Sequence, residues 1–180
     1  MGKRVDDYVA ELRAAGPASF RAAHDHAVLV RRDSTDDDDA PEFHTGFMNR
    51  EEMAARLAEL DKAGGPSRVG SVHEVTKRKG GIFADRIGIG RARNADVCLF
   101  LAKMSKYHAY VTREDDRWFV TDAGSKNGTT VDGERAEPKT PTELRNACEV
   151  GFGPYRFFFY TPEGFLELVE RRRVVADSEV

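Results

Sequence analysis

The stretch Arg117-Trp118-Phe119-Val120-Thr121-Asp122-Ala123-Gly124-Ser125-Lys126-Asn127-Gly128-Thr129-Thr130-Val131-Asp132-Gly133 decides the fold. Arg117–Asp122 and Thr129–Val131 are rich in β-branched and aromatic residues, the composition of strands. Gly, Ser and Asn separate them, and Asp132-Gly133 follows as a second turn signal. The same alternation extends outward in both directions. Ser71–Lys77, Phe83–Ile89, Val97–Leu101, Ala109–Thr112 and Arg156–Tyr160 read as further strands. Lys79-Gly80-Gly81, Glu114-Asp115-Asp116 and Val131-Asp132-Gly133-Glu134 read as turns. Many short strands at this spacing, with no interleaved helices, predict a mainly β chain with a sandwich over residues 68–161.

The flanks differ in character. Residues 1–67 read as a helical N-terminal extension. Val5, Val9 and Leu12 recur at helical spacing until Gly16-Pro17, and Ser19 is placed to cap a second short helix through Ala23. An apolar run, Ala27-Val28-Leu29-Val30, comes next. Residues 33–42 hold six acids in ten positions and read as an acidic loop that can bury little. Asn49-Arg50-Glu51-Glu52 resembles a capping box, with Met53, Leu57 and Leu60 on one face and Gly64-Gly65-Pro66 as the stop. Residues 162–180 predict a C-terminal helix that opens on Pro162, with Phe165, Leu168 and Val169 as its apolar stripe. Arg171-Arg172-Arg173 are expected near its C-terminus, where cations suit the helix dipole.

Length and composition narrow the function classes. A chain of 180 residues can bury a core without staples, and 40% hydrophobic with 33% charged residues reads as soluble and globular. A formal net charge of -3 gives no basic excess for nucleic acid. Cys98 and Cys148 lie far apart in apolar segments, which predicts reduced thiols and a cytoplasmic setting rather than a disulfide or zinc framework. No secretory signal and no membrane-length apolar run are visible.

The chemistry sits where strands end. Gly90-Arg91 follows Ile87-Gly88-Ile89, Ser105-Lys106-Tyr107-His108 precedes Ala109-Tyr110-Val111, and Ser125-Lys126-Asn127-Gly128 joins two strands. Loops of a sandwich cluster at its ends, so Arg91, Ser105, Lys106, Lys126 and Asn127 are expected around one point. Every member donates to an anion and none is acidic, a set that suits phosphate. Each such charge-assisted bond contributes about 1.5–3 kcal/mol.

These segments resemble the signature of the forkhead-associated (FHA) domain family. That family shows Gly-Arg, an Asp-hydrophobic-x-Leu strand, Ser-x-x-His and Ser-x-Asn-Gly-Thr. This chain has Gly90-Arg91, Asp96-Val97-Cys98-Leu99, Ser105-Lys106-Tyr107-His108 and Ser125-Lys126-Asn127-Gly128-Thr129 in the same order. The resemblance covers about residues 68–160. It implies an antiparallel β-sandwich of about eleven strands that binds phosphothreonine peptides through loops at one end. It assigns direct phosphate contact to Arg91, a hydroxyl donor to Ser105, a further contact to Lys106 and a backbone amide contact to Lys126. Asn127 would hold the ligand backbone, and Lys103 would read the third residue after the phosphothreonine and favour an acid there. Gly90, His108 and Gly128 brace the loops. The preference for Thr implies a pocket for its methyl, about 0.8 kcal/mol of apolar contact. One departure stands out: Leu144 is followed by Arg145-Asn146-Ala147-Cys148 where the family often has a Gly-Asp turn, which leaves the pairing of the last strands open.

The expected function is therefore a phosphothreonine-reading adaptor in Ser/Thr-kinase signalling, with no catalytic activity, cofactor or metal. The expected partners are phosphothreonine-bearing proteins, among them a Ser/Thr kinase or its substrate, with no nucleic acid and no membrane. A phosphate-independent scaffold that uses the sandwich and the N-terminal helices is the alternative. Ser105 and His108 lack a nucleophile elbow and a third triad member, and His24-Asp25-His26 lacks further ligands in sequence for a metal. Thr35, with Asp38 three residues on, and Ser34, after Arg31-Arg32-Asp33, are candidate phosphosites. A phosphorylated Thr35 would fit this chain's own loops or a neighbour's, with Lys103 meeting Asp38; the plain reading is an acidic loop.

Overall fold

The structure, a computed structural model, describes residues 3–32, 70–81 and 83–178. The acidic loop with Ser34 and Thr35, and the helix expected from Asn49, lie outside the described residues. Among the described residues, eleven strands form two sheets. They are β1 (Ala27–Arg31), β2 (Val72–Val75), β3 (Ile87–Gly90), β4 (Val97–Cys98), β5 (Ala109–Glu114), β6 (Arg117–Asp122), β7 (Thr129–Val131), β8 (Glu134–Arg135), β9 (Thr142–Leu144), β10 (Glu149–Phe152) and β11 (Tyr155–Tyr160). One sheet runs β2-β1-β11-β10-β7-β8 and the other β4-β3-β5-β6-β9. All pairings are antiparallel except β3–β4, which is parallel. Two helices flank the sandwich: α1 (Val5–Ala23) and α2 (Pro162–Ser178).

Turn chemistry sets the hairpins. Asp115 bridges β5 and β6 with φ 53, and Asp132-Gly133 joins β7 to β8 with φ 50 and 84. Positive φ at these short polar and glycine residues matches the twist of two-residue hairpins. Between the sheets lies a core of Leu29, Val75, Ile89, Leu99, Val111, Trp118, Val120, Val150, Phe152, Phe157 and Phe159, among others. The last strands pair without the Gly-Asp turn. Ala147 takes φ 62 there, and its N–H donates to the Phe159 carbonyl at 2.7 Å.

The first zone is not helical throughout. Residues 27–31 form β1, hydrogen-bonded to β11 on one side and β2 on the other. All five residues are buried because both faces are covered. Ala27 and Leu29 enter the sandwich core, while Val28 and Val30 join Tyr8, Val9, Leu12, Phe20, Val72, Phe165 and Val169 in a second cluster beneath the helices. A continuous apolar run is the pattern of a strand buried on both faces. Helix α1 is broken at Gly16 (φ 77, ψ 162), and its second half resumes at Pro17 rather than at Ser19. Helix α2 begins on Pro162, and Thr161 Oγ1 accepts the Gly164 N–H at 3.2 Å as its cap. It runs on through Ser178, so Arg171–Arg173 sit inside the helix and not in its last turn. Arg172 pairs with Asp6 at 2.9 Å, and Arg13–Asp177 and Arg21–Glu163 also tie the two helices together. Both cysteines are free thiols; Cys148 is buried and Cys98 half-buried. Burial, with the nearby Asp132 charge, pushes the Cys148 thiol up to about 11.

Candidate functional site

Three loops meet at one end of the sandwich, and hydrogen bonds stitch them together. The Arg91 N–H donates to the Ser105 carbonyl at 3.1 Å, and the Ala92 N–H to the Lys106 carbonyl at 3.1 Å. That close approach needs a residue without a side chain at the end of β3. A Cβ on Gly90 would stand 2.1 Å from the Lys106 carbonyl oxygen, well inside contact distance. The second junction is polar. Ser105 Oγ accepts the Lys126 N–H at 3.0 Å, and Asn127 Nδ2 donates to the Lys103 carbonyl at 2.6 Å. The Lys103 N–H in turn donates to the Tyr155 hydroxyl at 3.1 Å.

His108 holds the base of the site. It is buried, its Nδ1 accepts the Ser105 N–H at 3.2 Å, and its Nε2 lies 3.0 Å from the Gly128 carbonyl. An acceptor at Nδ1 and a carbonyl at Nε2 fix the neutral tautomer with the proton on Nε2. Burial lowers the pKa of the ring against the opposing pull of the Gly128 carbonyl and Asp122. Gly128, at φ 81, turns the chain back into β7.

Asp122 organises the loop from inside. Its carboxylate accepts the N–H groups of Gly124 and Ser125, both at 2.8 Å, the Ser125 hydroxyl at 2.7 Å and the Thr129 hydroxyl at 2.6 Å. Burial would raise its pKa; these four bonds outweigh that and hold it below the ordinary value. The cations behave differently. Arg91, Lys106 and Lys126 are exposed, and among the described residues no carboxylate pairs with them. The site thus presents an unneutralised guanidinium and two ammonium groups beside a half-buried hydroxyl and an exposed amide. The Lys126 N–H, aimed at the phosphate by the resemblance, is engaged by Ser105 Oγ, so the Lys126 donor left facing outward is its ammonium.

The profile of the FHA domain family matches residues 87–153, the span that carries all three loops. Residues 87–153 form an FHA domain. A curated relative, the oxoglutarate dehydrogenase inhibitor of Corynebacterium jeikeium (strain K411), is 37% identical over 70 residues, which is 39% of this chain and 46% of that protein. The chain thus spans about half the length of the relative it matches. Among solved structures, an FHA domain from Chlamydia trachomatis is 24% identical with a TM-score of 0.43, over 53% of this chain and 89% of that one. An FHA domain of an Arabidopsis thaliana protein is 21% identical with a TM-score of 0.45, over 53% and 78%.

The FHA loops thus bring together all six residues singled out in the sequence as ligand-binding: Arg91, Lys103, Ser105, Lys106, Lys126 and Asn127. Sequence reasoning missed two supports. The sequence places Asp122 at the end of a strand and the start of the Ser-Lys-Asn-Gly loop without giving it a role; the signal for one is an Asp followed within a few residues by Gly and Ser, the pattern of a side chain closing its own turn. Tyr155 reaches Lys103 from β11, and nothing local in the sequence marks that contact. Asp96, quoted as part of the signature, anchors β3 and β4 from behind. It accepts the N–H groups of Gly88 and Arg78 at 2.8 and 2.9 Å and pairs with Lys77 at 2.8 Å.

Proposed function

We propose that this FHA domain reads phosphothreonine in partner proteins and acts as an adaptor in Ser/Thr-kinase signalling. The observation that carries the reading is the group of exposed cations, free of any described carboxylate, on loops locked together at Ser105. An anion with several acceptor oxygens satisfies such a group best, and a phosphate monoester offers about two negative charges near neutral pH. Arg91 forms the bidentate contact. Ser105 Oγ already accepts from Lys126, so its own proton is available to a phosphate oxygen. Lys106 and Lys126 add charge, Asn127 holds the ligand backbone, and Lys103 selects an acidic side chain three residues on. Recognition is an equilibrium event: a kinase adds charge and the loops bind it, with no bond made or broken by this chain. The name of the corynebacterial relative makes oxoglutarate dehydrogenase one partner to test.

The test is titration with degenerate phosphothreonine, phosphoserine and unphosphorylated peptide libraries, repeated with Arg91→Ala. Binding that requires phosphothreonine and disappears in the variant is the expected result. Equal binding of plain peptides would establish the phosphate-independent scaffold instead.

A further inference from the structure

At the opposite flank, under the helices, a second polar cluster lies outside the FHA loops. His24 follows the C-terminal end of α1, His26 immediately precedes β1, and Glu74 belongs to β2. One ligand atom from each lies within 4.8 Å of those of the other two. The pairing of β1 with β2 explains the meeting. Val28 stands opposite Glu74, so Glu74 shares the helix-facing side of the sheet with Val28 and, two residues earlier, with His26. The ligand missing from the His24-Asp25-His26 segment therefore comes from a distant strand.

The nitrogens are poised for a ligand. His24 Nδ1 and His26 Nε2 are both buried and have no hydrogen-bond partner, and His26 Nε2 lies 3.5 Å from Glu74 Oε1. Buried polar atoms of this kind call for an explanation. The outer groups are arranged as they are around metals. Glu11 Oε2 sits 3.1 Å from His24 Nε2; a proton held there leaves the lone pair on Nδ1. Lys3 pairs with Glu11 from the other side. The Tyr8 hydroxyl donates to Glu74 Oε1 at 3.4 Å.

We propose that His24, His26 and Glu74 form a binding site for a zinc-class divalent cation, with Glu11 and Tyr8 as positioning residues. Two imidazoles and one carboxylate, with water completing a tetrahedron, suit zinc. Coordination at about 2.0–2.2 Å requires the side chains to swing inward, and the exposed arm of Glu74 is free to do so. The bound cation would clamp the end of α1 to the β1–β2 edge.

The experiment uses the full chain, stripped with chelator and titrated with zinc by calorimetry, with metal analysis after dialysis. One zinc per chain is expected, together with a Tm rise of about 5–10 °C at a hundredfold excess over Kd. His24→Ala is a poor probe, because the ring packs tilted against Phe20 at 4.4 Å and edge-on against Tyr8 at 5.2 Å and its loss threatens the fold. Glu74→Gln and His26→Ala lie nearer the surface and should weaken zinc binding at least tenfold while circular dichroism stays unchanged. Tyr8→Phe and Glu11→Gln should each weaken it about tenfold, as outer groups do. A tetrahedral cobalt(II) absorption spectrum that is lost in Glu74→Gln would support the site independently. Absence of saturable one-to-one uptake, or uptake unchanged in both Glu74→Gln and His26→Ala, would overturn the proposal.

Discussion

Ser105 Oγ accepts the backbone proton of Lys126 at 3.0 Å, so a single hydroxyl is shared by two loops. The same residue is gripped on its backbone by Arg91 and by His108. Ser105 is therefore the junction of the site and, under the proposed function, also a donor to the ligand, so its removal should act on both counts. Ser105→Ala is expected to weaken phosphopeptide binding about 10–100-fold, the equivalent of one charge-assisted bond. It should also lower stability by about 1 kcal/mol through the orphaned Lys126 amide. Isothermal titration and urea unfolding read the two effects separately. Ser105→Thr keeps the hydroxyl and should recover most of both.

Gly90→Ala tests the close approach of β3 to the Ser105–Lys106 loop. The added methyl meets a backbone carbonyl at 2.1 Å, and backbone has no rotamer through which to yield. Overpacking of this kind costs about 1–3 kcal/mol. Phosphopeptide affinity should fall further than stability does, because the relief available is to push residues 105–106 out of place. A variant with wild-type affinity and unfolding midpoint would show that the approach is looser than described.

Ala147 holds φ 62, a conformation that strains any residue with a Cβ by about 1–2 kcal/mol. Ala147→Gly removes that strain while adding some backbone entropy to the unfolded chain, about 0.5–1 kcal/mol. The net effect should be a gain of about 0–1.5 kcal/mol, seen as a higher urea midpoint with an unchanged m-value. Phosphopeptide binding should not change, since this turn lies outside the three loops.

Acid should loosen the site through His108. The unfolded ring titrates near 6.5 and the buried one below that value. A depressed folded pKa means that the neutral ring's contribution is complete above about pH 6.5. It is lost progressively as the pH falls from there toward the folded value, because the unfolded chain takes up a proton first. The slope from this one group cannot exceed about 1.4 kcal/mol per pH unit. Urea unfolding between pH 7.5 and 5 should show it, and His108→Gln should flatten it over that window. An unchanged slope in the variant would assign the pH dependence to other groups.

The meeting of the three loops at the candidate site was readable in the chain because their residues are defined by local spacing. Gly90-Arg91, Ser105 to His108 and Ser125 to Thr129 each sit at a strand end, and strand composition on either side fixes where those ends fall. The long strands followed for the same reason. Less was visible where a partner decides the outcome. Ala27–Arg31 is an apolar run that suits a buried strand or a buried helix equally well; only the covering of both faces by the core and the helices makes it β1. β8 and β9 have two and three residues, too few to show a period. Leu99 to Leu101 continue the composition of a strand, but β4 ends at Cys98 and they fold inward as a buried turn. Glu74 meets His26 through strand register alone, which no spacing along the chain encodes.

The position of β1 bears on how this protein can be dissected. The family profile begins at residue 87, yet β1 is flanked by β11 on one side and β2 on the other. Expressing only the profile-matched segment, residues 87–153, would strip β2, β1 and β11 from the six-stranded sheet and leave β10 with a bare, hydrogen-bonding margin. Such margins recruit other chains, so that fragment should precipitate or associate where the full chain stays monodisperse. Anyone grafting this domain into a fusion protein should carry β1, β2 and β11 with it, because here the smallest self-sufficient unit is larger than the motif that reveals it.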